Sequence, residues 1–408
     1  MQNPPGRLLG ADFVRASACF IVLFHHLTQK IDFRTPLGEP DIAQALANGG
    51  TFGVGIFFVL SGFLLARPFW QAFDRGNTTP SLRIYALRRA ARILPGYWLA
   101  LTVTFVLSIF VWHAQPDGWL WLRYLSGLLL VSDWHWLTLF PVEVNGPLWS
   151  ISFEVTSYML LPVGFVALFA FGRRLPAWAS RLAFLAVIGV ALLGHMAFSN
   201  WVVVDPHRKG WEYGMQGGAK VWMPWFNPFG FFAMFAVGAL AGGVQVMLAQ
   251  FRHWLMDVIC LAALIVVGHY MFTQAYAEAG ELYGWLRVPY RFPMMHALIG
   301  VVLVTGPSTV LLGRLLDNGV VRFLAQISFG IYVYHTIVIE LIQVYAVPDL
   351  VYGGMSDAGS WLTSVVATVV ISMVLATLSY RFMEAPVMDW ARGLEDQPAA
   401  RAVPQPAS

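Results

Sequence analysis

The chain has 408 residues, of which 58% are hydrophobic and only 12% charged, and its net charge is +3. Soluble domains carry about a quarter charged residues, so a soluble globule is excluded, and the scattered Lys and Arg form no basic run suited to nucleic acid. A chain this apolar divides into spans of about 20 residues better than into soluble cores.

From the N-terminus, a short polar start, Met1 to Arg7, leads into an apolar run that lacks a small-residue cleavage site and contains Asp12 and Arg15. It reads as a retained first span. Further apolar windows fall at about 52–70, 93–113, 151–171, 182–199, 226–247, 256–273, 292–313, 323–346 and 362–381, giving an all-α, polytopic helical bundle of about ten transmembrane helices. The stretch near 119–139 is apolar too, but Arg123, Gly127, Asp133 and His135 interrupt it. It reads as an interfacial or re-entrant segment, with Trp119, Trp121, Trp134 and Trp136 at headgroup level. The membrane domain is expected over 1–386, followed by a disordered tail over 387–408 that becomes rich in Ala, Pro and Gln.

About ten spans place both termini on one side. The loops on that side carry about twice the Lys and Arg of the others, with Arg67, Arg75, Arg83, Arg88, Arg89 and Arg92 in one loop alone, so both termini are expected in the cytoplasm. Cys19 and Cys260, the only cysteines, each lie in an apolar stretch and offer neither a disulfide framework nor a thiolate metal site. The histidines show no metal-ligand spacing, and no metal is expected.

Four ionisable residues, Asp12, Arg15, His25 and His26, lie inside the first span. Each costs roughly 2.5 to 3.5 kcal/mol at a helix centre on insertion scales if charged, so such residues are usually functional or tightly paired. Arg15 and His26 are eleven residues apart, three turns plus roughly 20°, so they share a face with Asp12 and Cys19 but lie roughly 16 Å apart along the axis. They serve different depths. His25 points about 100° away and is the weaker candidate. An Asp12–Arg15 pair that merely lets the helix insert is the plainer alternative.

Arg89 and Arg92, one turn apart before the third span, can converge on a phosphorylated ligand, though basic residues there also serve as topology determinants. Glu154, at the start of the fourth span, is expected near the depth of His26, where a carboxylate would fix the imidazole tautomer; equally, it suits a helix N-terminus. His335 sits mid-span, where a packing role is common. Arg381 and Glu384 look like a structural ion pair. Gly53, Gly55, Ser61 and Gly62 suit close helix contact. Trp201, Trp211, Tyr213 and Trp225 suit either sugar stacking or the membrane interface.

Together these segments resemble the membrane acyltransferase-3 family, multi-span enzymes that acylate cell-surface carbohydrates and some small molecules. Asp12, Arg15, Ala18, Val22 and His26 match its first-span frame, Phe57 to Phe63 its Phe-Phe-x-Leu-Ser-Gly-Phe element including Ser61 and Gly62, and Arg89 and Arg92 its Arg-x-x-Arg motif. Trp149, Ser150, Ser152 and Glu154, with Tyr158 following, match Trp-Ser-x-Ser-x-Glu; Ser328 to His335 and Arg381 to Pro386 match two closing motifs. Val155, Thr156 and Ser157 depart from the commoner residues, and the fifth to eighth spans match in hydropathy only.

The resemblance implies an O-acyltransferase of the bacterial-type inner (plasma) membrane. The donor would be acetyl-CoA or another acyl-CoA, with its phosphates on Arg89 and Arg92. The acceptor would be a hydroxyl of an extracytoplasmic carbohydrate, lipid-linked sugar or other molecule. His26 would be base or nucleophile, Glu154 its orienting partner, and Arg15 a donor-arm or oxyanion contact. The reading from another class is a secondary transporter with an intramembrane Asp/Arg/His relay, but no repeat or paired broken helices support it.

Overall fold

The computed structural model describes residues 8–32, 49–172, 174–202, 210–274 and 283–395. Its helices are α1 (Ala11–Thr28), α2 (Phe52–Asp74), α3 (Leu82–Phe110), α4 (Gly118–Leu128), α5 (Trp149–Phe171), α6 (Ala177–Trp201) and α7 (Gly214–Trp222). They continue as α8 (Pro228–Leu248), α9 (Trp254–Gln274), α10 (Met294–Thr305), α11 (Leu312–Leu316), α12 (Gly319–Tyr345), α13 (Ala358–Ser379) and α14 (Ala385–Glu395). A helix occupies every expected apolar window. Among the described residues, eight helices are long and apolar enough to cross a membrane, namely α2, α3, α5, α6, α8, α9, α12 and α13. The charges and imidazoles of α1 hold it below that measure, and α10, at 12 residues, is too short for it.

Polar residues at the turns start these helices. Ser81 caps α3 by accepting the Ile84 amide at 3.4 Å, and Asn227, Asn318 and Asp357 do the same for α8, α12 and α13. The Ser81 cap corrects one expectation: Arg83 to Leu94 is not a loop before the third span but its first three turns, rich in Leu, Ala and Arg that favour a helix. The core forms around α2, where Gly53 packs on Ala18 and Val22 of α1 and Gly62 faces α8. A Cβ on Gly62 would fall 1.9 Å from the Phe235 carbonyl oxygen, and one on Gly238 would fall 2.0 Å from that of Val59, so the two backbones touch.

The segment between α3 and α5 does not span. After α4 it continues as irregular backbone with two short 3-10 turns, Ser132–Trp134 and Gly146–Leu148. The buried Arg123 satisfies that backbone, donating to the Phe140 carbonyl at 2.7 Å and the Val142 carbonyl at 3.0 Å while pairing with Glu143. Trp119, Trp121 and Trp134 are exposed, in keeping with an interfacial setting. Asp133 is fully buried; Thr156 donates to its Oδ2 at 2.8 Å, while its Oδ1 has no partner.

Burial pushes the Asp133 carboxyl up to about 6, against the opposing Thr156 bond. The sign follows from the acid being harder to ionise when folded. Its destabilising effect grows as pH rises from 3.8 to about 6 and levels off above at roughly 3 kcal/mol. Asp133→Asn keeps an acceptor for Thr156 and is expected to raise the thermal midpoint in detergent at pH 8 but not near pH 4. An equal gain at both pH values would refute this account.

The C-terminal expectation changes in part. Residues 387–395 belong to α14, which continues α13 through a π turn at Tyr380–Glu384 and docks on α3 by a two-bond pair between Arg88 and Glu395, 2.8 and 2.6 Å. Apolar positions on one face and this ion pair hold a stretch that composition alone suggests is unstructured. The rest of the expected tail, 396–408, lies outside the described residues.

Candidate active site

The stripe on α1 faces inward. Cys19 donates to the Ser328 carbonyl at 3.2 Å, which ties α1 to α12 midway between Arg15 and His26. Below that tie, Arg15 enters a cavity of about 100 Å³ with Arg89 and Arg92 of α3, Ser61 of α2, and Glu154 and Tyr158 of α5. Six residues from four helices therefore converge on one polar chamber. Arg15 lies within electrostatic reach of Arg92, Asp12, Arg89 and Tyr158. Three guanidinium groups around one small cavity focus positive potential and favour an anionic guest.

Glu154 accepts from Ser61 at 2.9 Å and from the Tyr158 hydroxyl one turn further along α5. It is not a partner of His26, contrary to the expected pairing. The reason is local: a 3-10 turn at Gly146–Leu148 leads into α5 at Trp149, so Glu154 sits in the second turn, at the depth of Arg15. Ser61 thus acts as a hydrogen-bond donor to the carboxylate rather than as a small packing residue. Gly62, beside it, has the packing role.

Arg92 donates to Glu384 at 3.3 Å and to the Gln326 carbonyl at 3.3 Å. Glu384 is buried and its ion pair reaches across to α3, so the expected Arg381–Glu384 pair is replaced; Arg381 instead lies over the Phe382 ring. The π turn at Tyr380–Glu384 alters the spacing on which an i, i+3 pair depends. Arg89 makes no ion pair among the described residues.

Three turns up α1 lies a second polar group. The His26 ring is 5.3 Å from that of His335, and its Nδ1 is 3.3 Å from Gln29 Oε1, while Gln29 Nε2 is 3.1 Å from His25 Nε2. His335 Nδ1 meets its own helix at the Ile331 carbonyl, 3.1 Å, which leaves its ring against His26. A packing histidine and a site neighbour are here the same residue. Lys30 pairs with Glu340 at 2.7 Å close by, closing this end of α1 to α12.

Tyr332 joins the two groups. It lines the Arg15 cavity, and its ring is 6.1 Å from that of His335. Its hydroxyl bonds to Ser150 Oγ at 2.7 Å and to the Pro147 carbonyl at 3.2 Å, and Phe57 packs edge-on against it at 5.6 Å. Sequence reasoning gave Tyr332 no role, although Ser328, Tyr332 and His335 repeat at four and three residues on one helical face. Two further motif residues pack between elements. Trp149 packs against Phe153, Trp222, Phe226 and Phe231, and Ser152 bonds to Ser132 at 2.7 Å, holding the non-spanning segment to α5.

Among the described residues, no cluster of three or more His, Cys, Asp or Glu side chains could hold a metal. Trp201 and Tyr213 are exposed, and Trp225 stacks under Arg287 at 4.7 Å; the Trp211 side chain lies outside the described residues.

A polytopic helical membrane protein with an arginine-lined chamber connected to a histidine pair is the class that fold and site define. The sequence profile of the acyltransferase domain matches residues 8–381, and the chain belongs to that membrane acyltransferase-3 family. It is similar to YrhL of Bacillus subtilis, 28% identical over 93% of this chain and 54% of that protein. It is also similar to the peptidoglycan O-acetyltransferase OatA of Listeria monocytogenes, 23% identical over 95% of this chain and 57% of that protein. The acyltransferase MdmB of Streptomyces mycarofaciens is 30% identical over a shorter region, 38% of this chain and 39% of that protein. The chain thus spans little more than half the length of the first two relatives. No solved structure matches it.

Proposed function

We propose that this chain transfers an acyl group, acetyl in the first instance, from a cytosolic acyl-CoA to a hydroxyl of an extracytoplasmic carbohydrate. The observation that carries this reading is the pairing of an arginine-lined chamber with a histidine pair on the same α1 face, separated by the Tyr332 ring. The two relatives above whose names include peptidoglycan O-acetyltransferase support the acetyl group and the acceptor class.

The chamber suits a phosphorylated donor, since Arg89 makes no ion pair among the described residues and Arg92 is held by one carboxylate that an incoming phosphate can replace. Acyl-CoA would supply the acyl group as an activated thioester. Arg89 and Arg92 hold phosphate oxygens at the chamber mouth, and Arg15, deeper in, donates to carbonyl oxygens of the donor's pantetheine arm, whose length carries the thioester on to His26. Ser61 and Tyr158 keep the Glu154 carboxylate turned into the chamber, where it offsets one of the three positive charges.

His26 acts at the acceptor. With Gln29 Oε1 accepting from Nδ1–H and its amide donating to His25, the His26 Nε2 lone pair is left to take the hydroxyl proton. The acceptor oxygen then bonds to the acyl carbon as the carbon–sulfur bond breaks, and the imidazolium proton returns to the sulfur side. Gln29 takes the orienting role expected of Glu154.

Joint replacement of Arg89 and Arg92 by Gln is expected to weaken binding of acyl-CoA by about 100-fold, two charge-assisted contacts, and acceptor binding by much less. Equal CoA affinity in variant and parent would remove the donor assignment. Mass spectrometry of envelope glycans and lipids with and without the chain tests the acceptor: a missing acetyl mass on a sugar is expected, and unchanged glycans would reject the acceptor class.

A further inference from the structure

A second cavity, about 520 Å³, opens between α3 and α5 on the membrane-facing side. Its walls are Ile93 and Leu94 of α3 and Val155, Met159 and Val163 of α5, and the last two have side chains more than half exposed to the bilayer side. The size lies within the range of about 300–1,000 Å³ typical of small-molecule sites. Tyr85 donates to the Tyr158 carbonyl, 3.1 Å, so the one phenol at its lower end is already satisfied. The remaining charged group is Arg89. Arg89, Ile93 and Tyr158 line both this groove and the polar chamber, so the two are adjoining rooms with a shared wall.

Depth indicates the occupant. α3 has 29 residues, about 43 Å of helix, whereas the hydrocarbon core is about 30 Å thick. The excess of roughly 13 Å sets the arginine-bearing first turns at the level of lipid phosphates. Arg88 and Arg92 are matched there by Glu395 and Glu384, but Arg89, which faces the groove, is not matched among the described residues. From Leu82 to Leu94 the groove follows α3 for roughly 18 Å, from the headgroup level at its first turns into the hydrocarbon at Ile93 and Leu94.

We propose that the α3–α5 groove is a binding site for one anionic phospholipid, with an acyl chain lying between Ile93, Leu94, Met159 and Val163 and the phosphate on Arg89. Because Arg89 also faces the chamber, a bound lipid and a phosphorylated donor compete for it. The binding claim rests on the groove alone; the competition claim rests in addition on the donor reading above.

The test uses the purified full chain, stripped of lipid in detergent and titrated with phosphatidylglycerol or phosphatidylcholine of the same chains, with bound lipid counted by native mass spectrometry. One phosphatidylglycerol per chain is expected, retained about fivefold better than phosphatidylcholine, the effect of one interfacial Arg. Val163→Trp and Met159→Trp fill the groove and should abolish retention of either lipid. Arg89→Gln should erase the preference while leaving a chain bound, and Arg89→Lys should restore it. Equal retention of the two lipids by the parent, or full retention by both groove-filled variants, would overturn the site. The parent measurement needs no variant to fold. If lipid binds as expected but does not raise the KM for acyl-CoA, the groove stands and the sharing of Arg89 falls.

Discussion

Replacing His26 by Ala is expected to lower acyl transfer by roughly 100- to 10,000-fold with normal abundance in the membrane, the usual contribution of a positioned general base. The variant removes the only imidazole that combines the Arg15 face of α1 with contact to His335. Its Gln29 partner faces the outer end of the helix and remains solvated, so the bundle has little reason to unfold. His25→Ala is the matched control. It removes the neighbouring ring and one bond to Gln29, at 3.1 Å, and is expected to cost less than about tenfold through a looser His26. Acetylation of surface glycan is the readout, normalised to protein in the membrane. Undiminished acetylation by His26→Ala would reject its role, and equal losses in both variants would show that the pair acts only in packing. Glu154→Gln separates the chambers further, because it should change donor KM more than the pH profile of transfer.

The second large effect concerns the fold. Gly62→Ala places a Cβ 1.9 Å from the Phe235 carbonyl oxygen, 2.9 Å from its carbon and 3.0 Å from the Ala239 nitrogen. These are backbone atoms of a packed helix, so they cannot rotate away. Overpacking costs typically about 1–3 kcal/mol where side chains can adjust, and here α2 and α8 must separate along their length. Folded yield in detergent should fall sharply and the thermal midpoint should drop. Gly189→Ala, where a Cβ meets nothing within 4 Å, should be neutral or stabilising by up to about 1 kcal/mol. Equal midpoints for the two variants would show that the α2–α8 contact is looser than described. Ser61, next to Gly62, carries a hydrogen bond to Glu154, so structural and chemical roles alternate residue by residue on α2.

Much of this was legible in the linear chain because a helix converts spacing into direction. Eleven residues between Arg15 and His26 gave one face and two depths without any knowledge of neighbours. Apolar windows marked the helices because a bilayer enforces a length on each. Pairing between helices was less legible. A span that begins near residue 151 would bring Glu154 to the depth of His26, whereas the 3-10 turn at Gly146–Leu148 and the helix start at Trp149 set it at the depth of Arg15. Glu384 was assigned to its neighbour Arg381, yet a π turn directed it to Arg92, which lies 292 positions away in sequence. Tyr332 went unassigned because a tyrosine in an apolar helix carries no charge to attract notice.

The amino-acid sequence by itself determined the membrane-embedded helical class and the two-station arrangement of α1, since both follow from composition and helical period. Only the tertiary structure decided which carboxylate meets which cation, that Gln29 and His335 are the neighbours of His26, and that α3 and α5 diverge to leave a groove. The physical reason is that helix period acts within one element. Partners across the bundle depend on where each helix starts, how its turns are wound and how closely glycines let the backbones approach.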